Sequence, residues 1–281
     1  MPFWDIINCP RIAAARQGHG PCATVVASQG NAGHLPEPWV GHLETAPILF
    51  ISSNPGFDEK EHFPTADWPR DQVEEFFTDR FSAGDPRYVV EFRVRHAGGG
   101  RAGRAPQYWS EVDRCAFELL GRRRPAGVKP GIDYALTEIV HCKSRGNQGT
   151  AEAANSCADR YLQRVLAASG ATVLVCYGDT VWPQVRRVLG LPVAQPPANR
   201  VALVGPIPVA GKERMLLFLP QPGSSRPRRP SVVLDEAQLE QLRAFAGAGS
   251  ETSRPAQQAG ARGTGPLRPR APRSGWHLEP T

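Results

Sequence analysis

Two short runs far apart in the chain carry residues suited to ligand chemistry: Ser53-Asn54-Pro55-Gly56-Phe57 and Gln221-Pro222-Gly223-Ser224-Ser225. Each combines an amide and hydroxyls with turn-forming Pro and Gly, so backbone and side-chain polar groups can approach a ligand closely. Each also directly follows an apolar run, Pro47-Ile48-Leu49-Phe50-Ile51 in the first case and Met215-Leu216-Leu217-Phe218-Leu219-Pro220 in the second. In open α/β sheets ligands bind outside the carboxyl ends of the strands, which makes the two runs candidates for one shared site. Turn formation alone also accounts for Asn-Pro-Gly, since all three residues favour turns.

Six cysteines form a second group: Cys9, Cys22, Cys115, Cys142, Cys157 and Cys176. In a reducing cytosol they are buried apolar residues or metal ligands rather than disulfides. Cys176 lies inside Thr172-Val173-Leu174-Val175-Cys176-Tyr177 and Cys115 on a helix-period segment, which assigns both to the core. A third group is basic. Arginines cluster at Arg122-Arg123-Arg124, at Arg226, Arg228 and Arg229, and along the C-terminal tail, for a net charge of +6. That excess is the footprint of a nucleic-acid binder, and equally a habit of GC-rich genomes.

These residues need elements to hold them. Strand-like runs fall at Ile48 to Ser52, Tyr134 to Val140, Thr172 to Tyr177 and Met215 to Leu219. Between and after them, apolar residues at three- and four-residue spacing predict helices over Asp71 to Phe81, Tyr108 to Leu120, Ala151 to Ala168, Thr180 to Leu189 and Asp235 to Ala246. Strand and helix in alternation give an α/β domain with a mostly parallel sheet between two helical layers. Thr150 is the expected N-cap of the third helix, Gly170 its stop and Asp235 the cap of the last. Residues 1–246 are expected to form one domain. Residues 247–281, rich in Gly, Pro, Ser, Ala and Arg, bury too little to offset chain entropy and read as a disordered basic tail. Ala97 to Arg104 reads as a mobile loop. No run reaches the roughly 18 apolar residues of a membrane helix, and the first residues lack the build of a secretory signal. The expectation is a soluble, cytoplasmic monomer. A small-molecule hydrolase would need a nucleophile beside a base, and no Gly-x-Ser-x-Gly elbow is present.

Taken in order, the motifs resemble a known family. Phe50-Ile51-Ser52-Ser53-Asn54-Pro55-Gly56 resembles the first motif of the uracil-DNA glycosylase superfamily. Leu136-Thr137-Glu138-Ile139-Val140-His141-Cys142-Lys143-Ser144-Arg145-Gly146-Asn147, followed by a helix containing Cys157, resembles its iron–sulphur branch. Ala171 to Gly178 resembles that branch's third strand and closing glycine, and Leu219 to Ser225 stands where the second motif, His-Pro and small residues, belongs. The resemblance spans roughly residues 45 to 230.

It implies a three-layer α/β/α sandwich around a four-stranded parallel sheet. It also implies a DNA-repair glycosylase that flips a damaged or deaminated base from DNA, stacks it on an aromatic ring and cleaves its glycosidic bond, the base leaving as an anion. Carried over by residue, Asn54 aligns the attacking water and Phe57 stacks the base, a part that Phe63 or Trp68 is equally able to play. Two positions depart from the pattern. Glu138 stands for the Asn that reads the base edge, and an ionised Glu can only accept hydrogen bonds. Ionised, it suits a base with adjacent N–H donors; protonated by burial, it also donates; or it is a strand-end surface residue. Gln221 replaces the His that donates to the leaving base; its amide still donates. Ser224, Ser225, Arg226, Arg228, Arg229, Lys143 and Arg145 fall where phosphates are expected. Cys142 and Cys157 match the last two ligands of a [4Fe–4S] cluster, which takes four thiolates. Cys9 and Cys22 are then the first two, at wider spacing than the family's Cys-x-x-Cys. The substitutions at 138 and 221 also admit a rival, a catalytically weak iron–sulphur nucleic-acid-binding module of the same fold.

Overall fold

The computed structural model describes residues 2–82, 88–100, 107–122, 127–191, 202–222 and 229–252. Three short helices come first: α1 (Phe3–Ile7), α2 (Arg11–Arg16) and α3 (Ala23–Ala27). Next come β1 (Ile48–Ser52), α4 (Arg70–Thr78), β2 (Val89–Val90), β3 (Arg93–Val94), α5 (Gln107–Leu119) and β4 (Tyr134–Glu138). The remainder is α6 (Thr150–Ala168), β5 (Val173–Tyr177), α7 (Val181–Leu189), β6 (Ala202–Val209), β7 (Lys212–Leu219), α8 (Pro230–Val233) and α9 (Glu236–Thr252).

The central sheet has the order β4-β1-β5-β7-β6. Four strands are parallel and β6 runs antiparallel to β7. Every residue of β1, β4 and β5 is buried, as continuous apolar runs are in a sheet covered on both faces. Helices fall into two groups, as a three-layer α/β/α arrangement requires: α9 packs on β5, β7 and α5, while α7 packs on β5 and α6.

The expected count of four strands is corrected to five. The added strand, β6, contains Gly205, Pro206 and Pro208, which break an alternating pattern and hide it from a periodicity test. It lies at the sheet edge, where a residue without an N–H leaves no neighbouring strand short of a donor. A small separate hairpin, β2 with β3, and the three N-terminal helices were also too short to show a period.

Among the caps, Asp235 forms a reciprocal capping box: Gln238 N–H donates to Asp235 Oδ1 at 2.8 Å and Asp235 N–H to Gln238 Oε1 at 3.1 Å. Thr150, by contrast, is the first residue within α6, and Gly149 holds the cap position at φ +72°. A Cβ on Gly149 would meet Val25 N at 2.5 Å, so the start of α6 is pressed onto α3 and only glycine fits. The last helix runs to Thr252, past the expected boundary at Ala246, and 253–281 lie outside the described residues. So do 101–104 of the expected mobile loop, whose first part closes a turn through His96 N–H to Gly100 O. Among the described residues, no helix is long and apolar enough to cross a membrane.

Candidate functional site

A cavity of about 380 Å³ opens at the carboxyl ends of β1, β4 and β7. Parallel register sets Ser52 beside Glu138 at the ends of β1 and β4. Pairing then continues past the strands, with Ile139 N–H to Ser52 O at 2.8 Å, Val140 N–H to Ser53 O at 2.9 Å and Ser144 N–H to Pro55 O at 3.2 Å. The two loops therefore leave the sheet side by side. Asn54, Phe57, Glu138, Lys143 and Gln221 all line the cavity.

Asn54 is buried and its amide is fixed. Its Nδ2 donates to Pro55 O at 3.1 Å and to Ser144 Oγ at 2.8 Å, and its Oδ1 accepts from Ser53 Oγ at 3.3 Å. An oxygen held this way can accept from a water and aim that water, although an amide is no strong base. Gln221 reaches the cavity over Gly178, where a Cβ would come within 2.6 Å of its Oε1; φ at Gly178 is +89°. The glycine that ends β5 thus provides the space in which the Gln221 side chain lies.

Of the three aromatic candidates for a platform, Phe57 alone lines the cavity. It is half-buried and backed by the His34 ring, with centroids 5.2 Å apart. Phe63 is a core residue between Phe76 and Phe77, and Trp68 packs on His62 and Phe76. Tyr108 and Trp109, on the first turn of α5, also face the cavity. The residue pattern marked that helix without marking those two as site residues.

Beneath the aromatic wall is a buried set of charges that the sequence did not reveal. Arg80 donates to Glu37 at 2.8 Å and to Glu61, and Lys143 donates to Glu61 at 2.9 Å; all four side chains are nearly inaccessible. Burial alone would raise the Glu61 carboxyl, but Lys143 and Arg80 outweigh it and hold the group below its ordinary range. Glu138 differs. Burial first, then the Glu37 carboxylate, push its acid well above the usual range, and Lys143, Ser52 and Arg80 do not offset them. Its Oε1 accepts from Ser52 Oγ at 3.3 Å. The surface alternative for Glu138 is excluded by this burial.

Lys143 requires a correction. Expected at a phosphate backbone, it is buried, paired with Glu61, and set 4.2 Å from the centre of the Phe63 ring. Arg145 is exposed, 3.5 Å from Glu59 and over Phe57 at 5.4 Å. Arg229 is exposed just before α8. Ser224, Ser225, Arg226 and Arg228 lie outside the described residues.

Arg80→Met would leave two buried carboxylates short of a counter-charge, a change that destabilises by about 3–5 kcal/mol. Because the folded protein lowers the Glu61 carboxyl, that stabilisation exists at neutral pH and is lost as pH falls through its folded value. Denaturant unfolding of both proteins should therefore show the largest gap near pH 7 and a shrinking one in acid.

The cysteines separate into two classes. Cys115 and Cys176 are core residues at 2% and 1% exposure. Cys9, Cys22, Cys142 and Cys157 lie within electrostatic reach of one another. Burial first, then Cys157, Cys22 and Cys9, hold the Cys142 thiol well above its ordinary range. Burial similarly pushes Cys157 up to about 12, opposed by a hydrogen bond from the His141 backbone. Cys22 is raised by burial and by Cys9. Among the described residues no group of His, Cys, Asp or Glu is arranged to hold a single metal ion. A cubane takes one thiolate at each iron corner, so its four sulphurs stand farther apart than ligands of one ion. Cys22, Cys142 and Cys157 are buried and Cys9 is partly so, and four thiolates are the number that such a cluster takes. The loop that follows ties this group to the cavity: Gln29 Nε2 donates to Lys143 O at 2.9 Å, and Ser144 holds Asn54. No protein-family model matches the chain, and no curated protein matches it significantly.

Proposed function

We propose that this chain is a soluble cytoplasmic, monomeric DNA-repair glycosylase of the uracil-DNA glycosylase-like fold, hydrolysing the N-glycosidic bond of a deaminated or damaged base. The observation that carries the reading is the convergence of Asn54, Glu138 and Gln221, from the ends of three strands, on one cavity. Its volume suits a single flipped base, at the small end of the roughly 300–1,000 Å³ usual for ligand pockets. Phe57 stacks the base and Glu138 reads its edge. As the bond to C1′ loosens, Asn54 Oδ1 aligns water on the sugar and the Gln221 amide donates to the departing base, which carries the electron pair away. Arg145, Arg226, Arg228 and Arg229, with Ser224 and Ser225, contact the phosphates.

Cys9, Cys22, Cys142 and Cys157 hold a [4Fe–4S] cluster in this reading, whose part is structural: it pins α1–α3 to the loop carrying Lys143 and Ser144. Single-stranded and duplex oligonucleotides, each with one uracil, hypoxanthine, xanthine or other modified base, test the activity through alkali-labile abasic sites. Strand scission at one of these bases is expected. Iron-loaded protein that binds every oligonucleotide and opens none would replace the enzyme with a binding module.

A further inference from the structure

Among the described residues, two oxygen atoms of residues lining the cavity have no hydrogen-bond partner, Glu138 Oε2 and Tyr108 Oη, and both are shut off from bulk water. Unpaired buried polar atoms are uncommon in native proteins, and at a cavity wall they mark where a ligand atom belongs. Tyr108 faces Ser52 and Glu138 without a hydrogen bond of good geometry to either.

A count of charges shows what state Glu138 is in. Three buried carboxylates, Glu37, Glu61 and Glu138, share the cavity with two buried cations, Arg80 and Lys143. Both cations are committed: Arg80 to Glu37 and Glu61, Lys143 to Glu61. Among the described residues Glu138 has only the Ser52 hydroxyl, and the half-buried Asp58 adds a further carboxylate to the lining. Buried charge without a partner is the arrangement proteins avoid by neutralising the group.

We propose that Glu138 acts as a neutral carboxylic acid, and that its Oε2–H and the Tyr108 hydroxyl form a donor pair for a carbonyl oxygen on the edge of the bound base. Because Oε1 already accepts from Ser52, the proton falls on Oε2. Two hydroxyls donating to one point favour a base with a carbonyl there over one with an amino group, which points to lactam bases, the products of deamination. The same pair faces an oxygen that takes up charge as the base departs, in a site with little water; a carboxyl kept neutral beside a tyrosine serves this purpose elsewhere. The pair adds to the donation that the Gln221 amide supplies from the same cavity. The inference rests on the glycosylase reading for the identity of its ligand.

Its test needs no turnover. Infrared spectra of the iron-loaded protein at pH 7 should contain the C=O stretch of a protonated carboxyl that disappears in Glu138→Gln. Fluorescence anisotropy with single-stranded oligonucleotides carrying one 2′-fluoroarabino-uridine or 2′-fluoroarabino-cytidine, neither of which is readily hydrolysed, should show about tenfold tighter binding of the uracil form. Glu138→Gln, whose amide is neutral and still donates, should keep that preference, and Tyr108→Phe should lose most of it. Absence of the infrared band, or equal affinity of wild type for the two oligonucleotides, overturns the donor pair. A protein that shows both signals yet excises nothing loses the enzymatic reading and keeps the base reader. One that excises uracil without the band loses only the donor pair.

Discussion

Protein purified without oxygen is expected to be brown and to carry about four iron atoms per chain, because four thiolates hold a [4Fe–4S] cluster. The prediction discriminates among the six cysteines. Cys142→Ser should release most of the iron, since this thiol lies within electrostatic reach of all three other candidates. Cys115→Ser and Cys176→Ser should leave the metal content unchanged, because those side chains are core residues outside the group. Cys142→Ser should then also loosen α1–α3, because a cluster bound through Cys9 and Cys22 would add its binding energy to the folding of that segment. Iron analysis, visible absorbance and limited proteolysis of the four proteins measure this together. Colourless protein after anaerobic reconstitution, or iron lost on changing Cys115, would leave the four thiols as ordinary buried side chains.

Asn54→Ala is expected to lower single-turnover excision by about 10²–10³-fold or more while leaving DNA affinity close to wild type. The residue lines the cavity, and the variant removes the oxygen that Ser53, Pro55 and Ser144 together orient. Ser144→Ala should fall between the two, since it frees the amide without removing it. Gln221→His should move the other way and speed excision, by restoring the stronger donor. Rapid-quench cleavage paired with equilibrium binding separates these effects, because a loss shared by both would indicate damage to the fold. Unchanged excision by Asn54→Ala would remove this residue from the mechanism.

The parts of the molecule legible in the sequence are those where one local rule acts alone. Ile48–Ser52 is a strand because a fully apolar run ends in a turn, and Asp235 caps α9 because its partner stands three residues on. The juxtaposition of Asn54, Glu138 and Gln221 could be anticipated from loops that follow parallel strands. The edge strand β6 was hidden by its prolines, and α1–α3 by their length. The Arg80, Glu61 and Lys143 cluster was out of reach for a different reason. Glu61 and Lys143 are 82 positions apart, and a charged residue looks the same in sequence whether it meets solvent or a buried partner. In sequence Lys143 therefore reads as a surface cation, although it is buried against the cavity.

The crowding of carboxylates around Glu138 also affects how the molecule tolerates change. A group whose acid is raised in the folded state contributes stability below its unfolded value and loses it as pH rises through the folded one. The cavity end of the sheet is therefore less stable than an apolar filling would make it, and substitutions there that improve stability would tend to erase the chemistry. Stability and the proposed chemistry would pull in opposite directions at Glu138, whereas at the other end of the same strand the Tyr134 ring packs against Phe50 in the core.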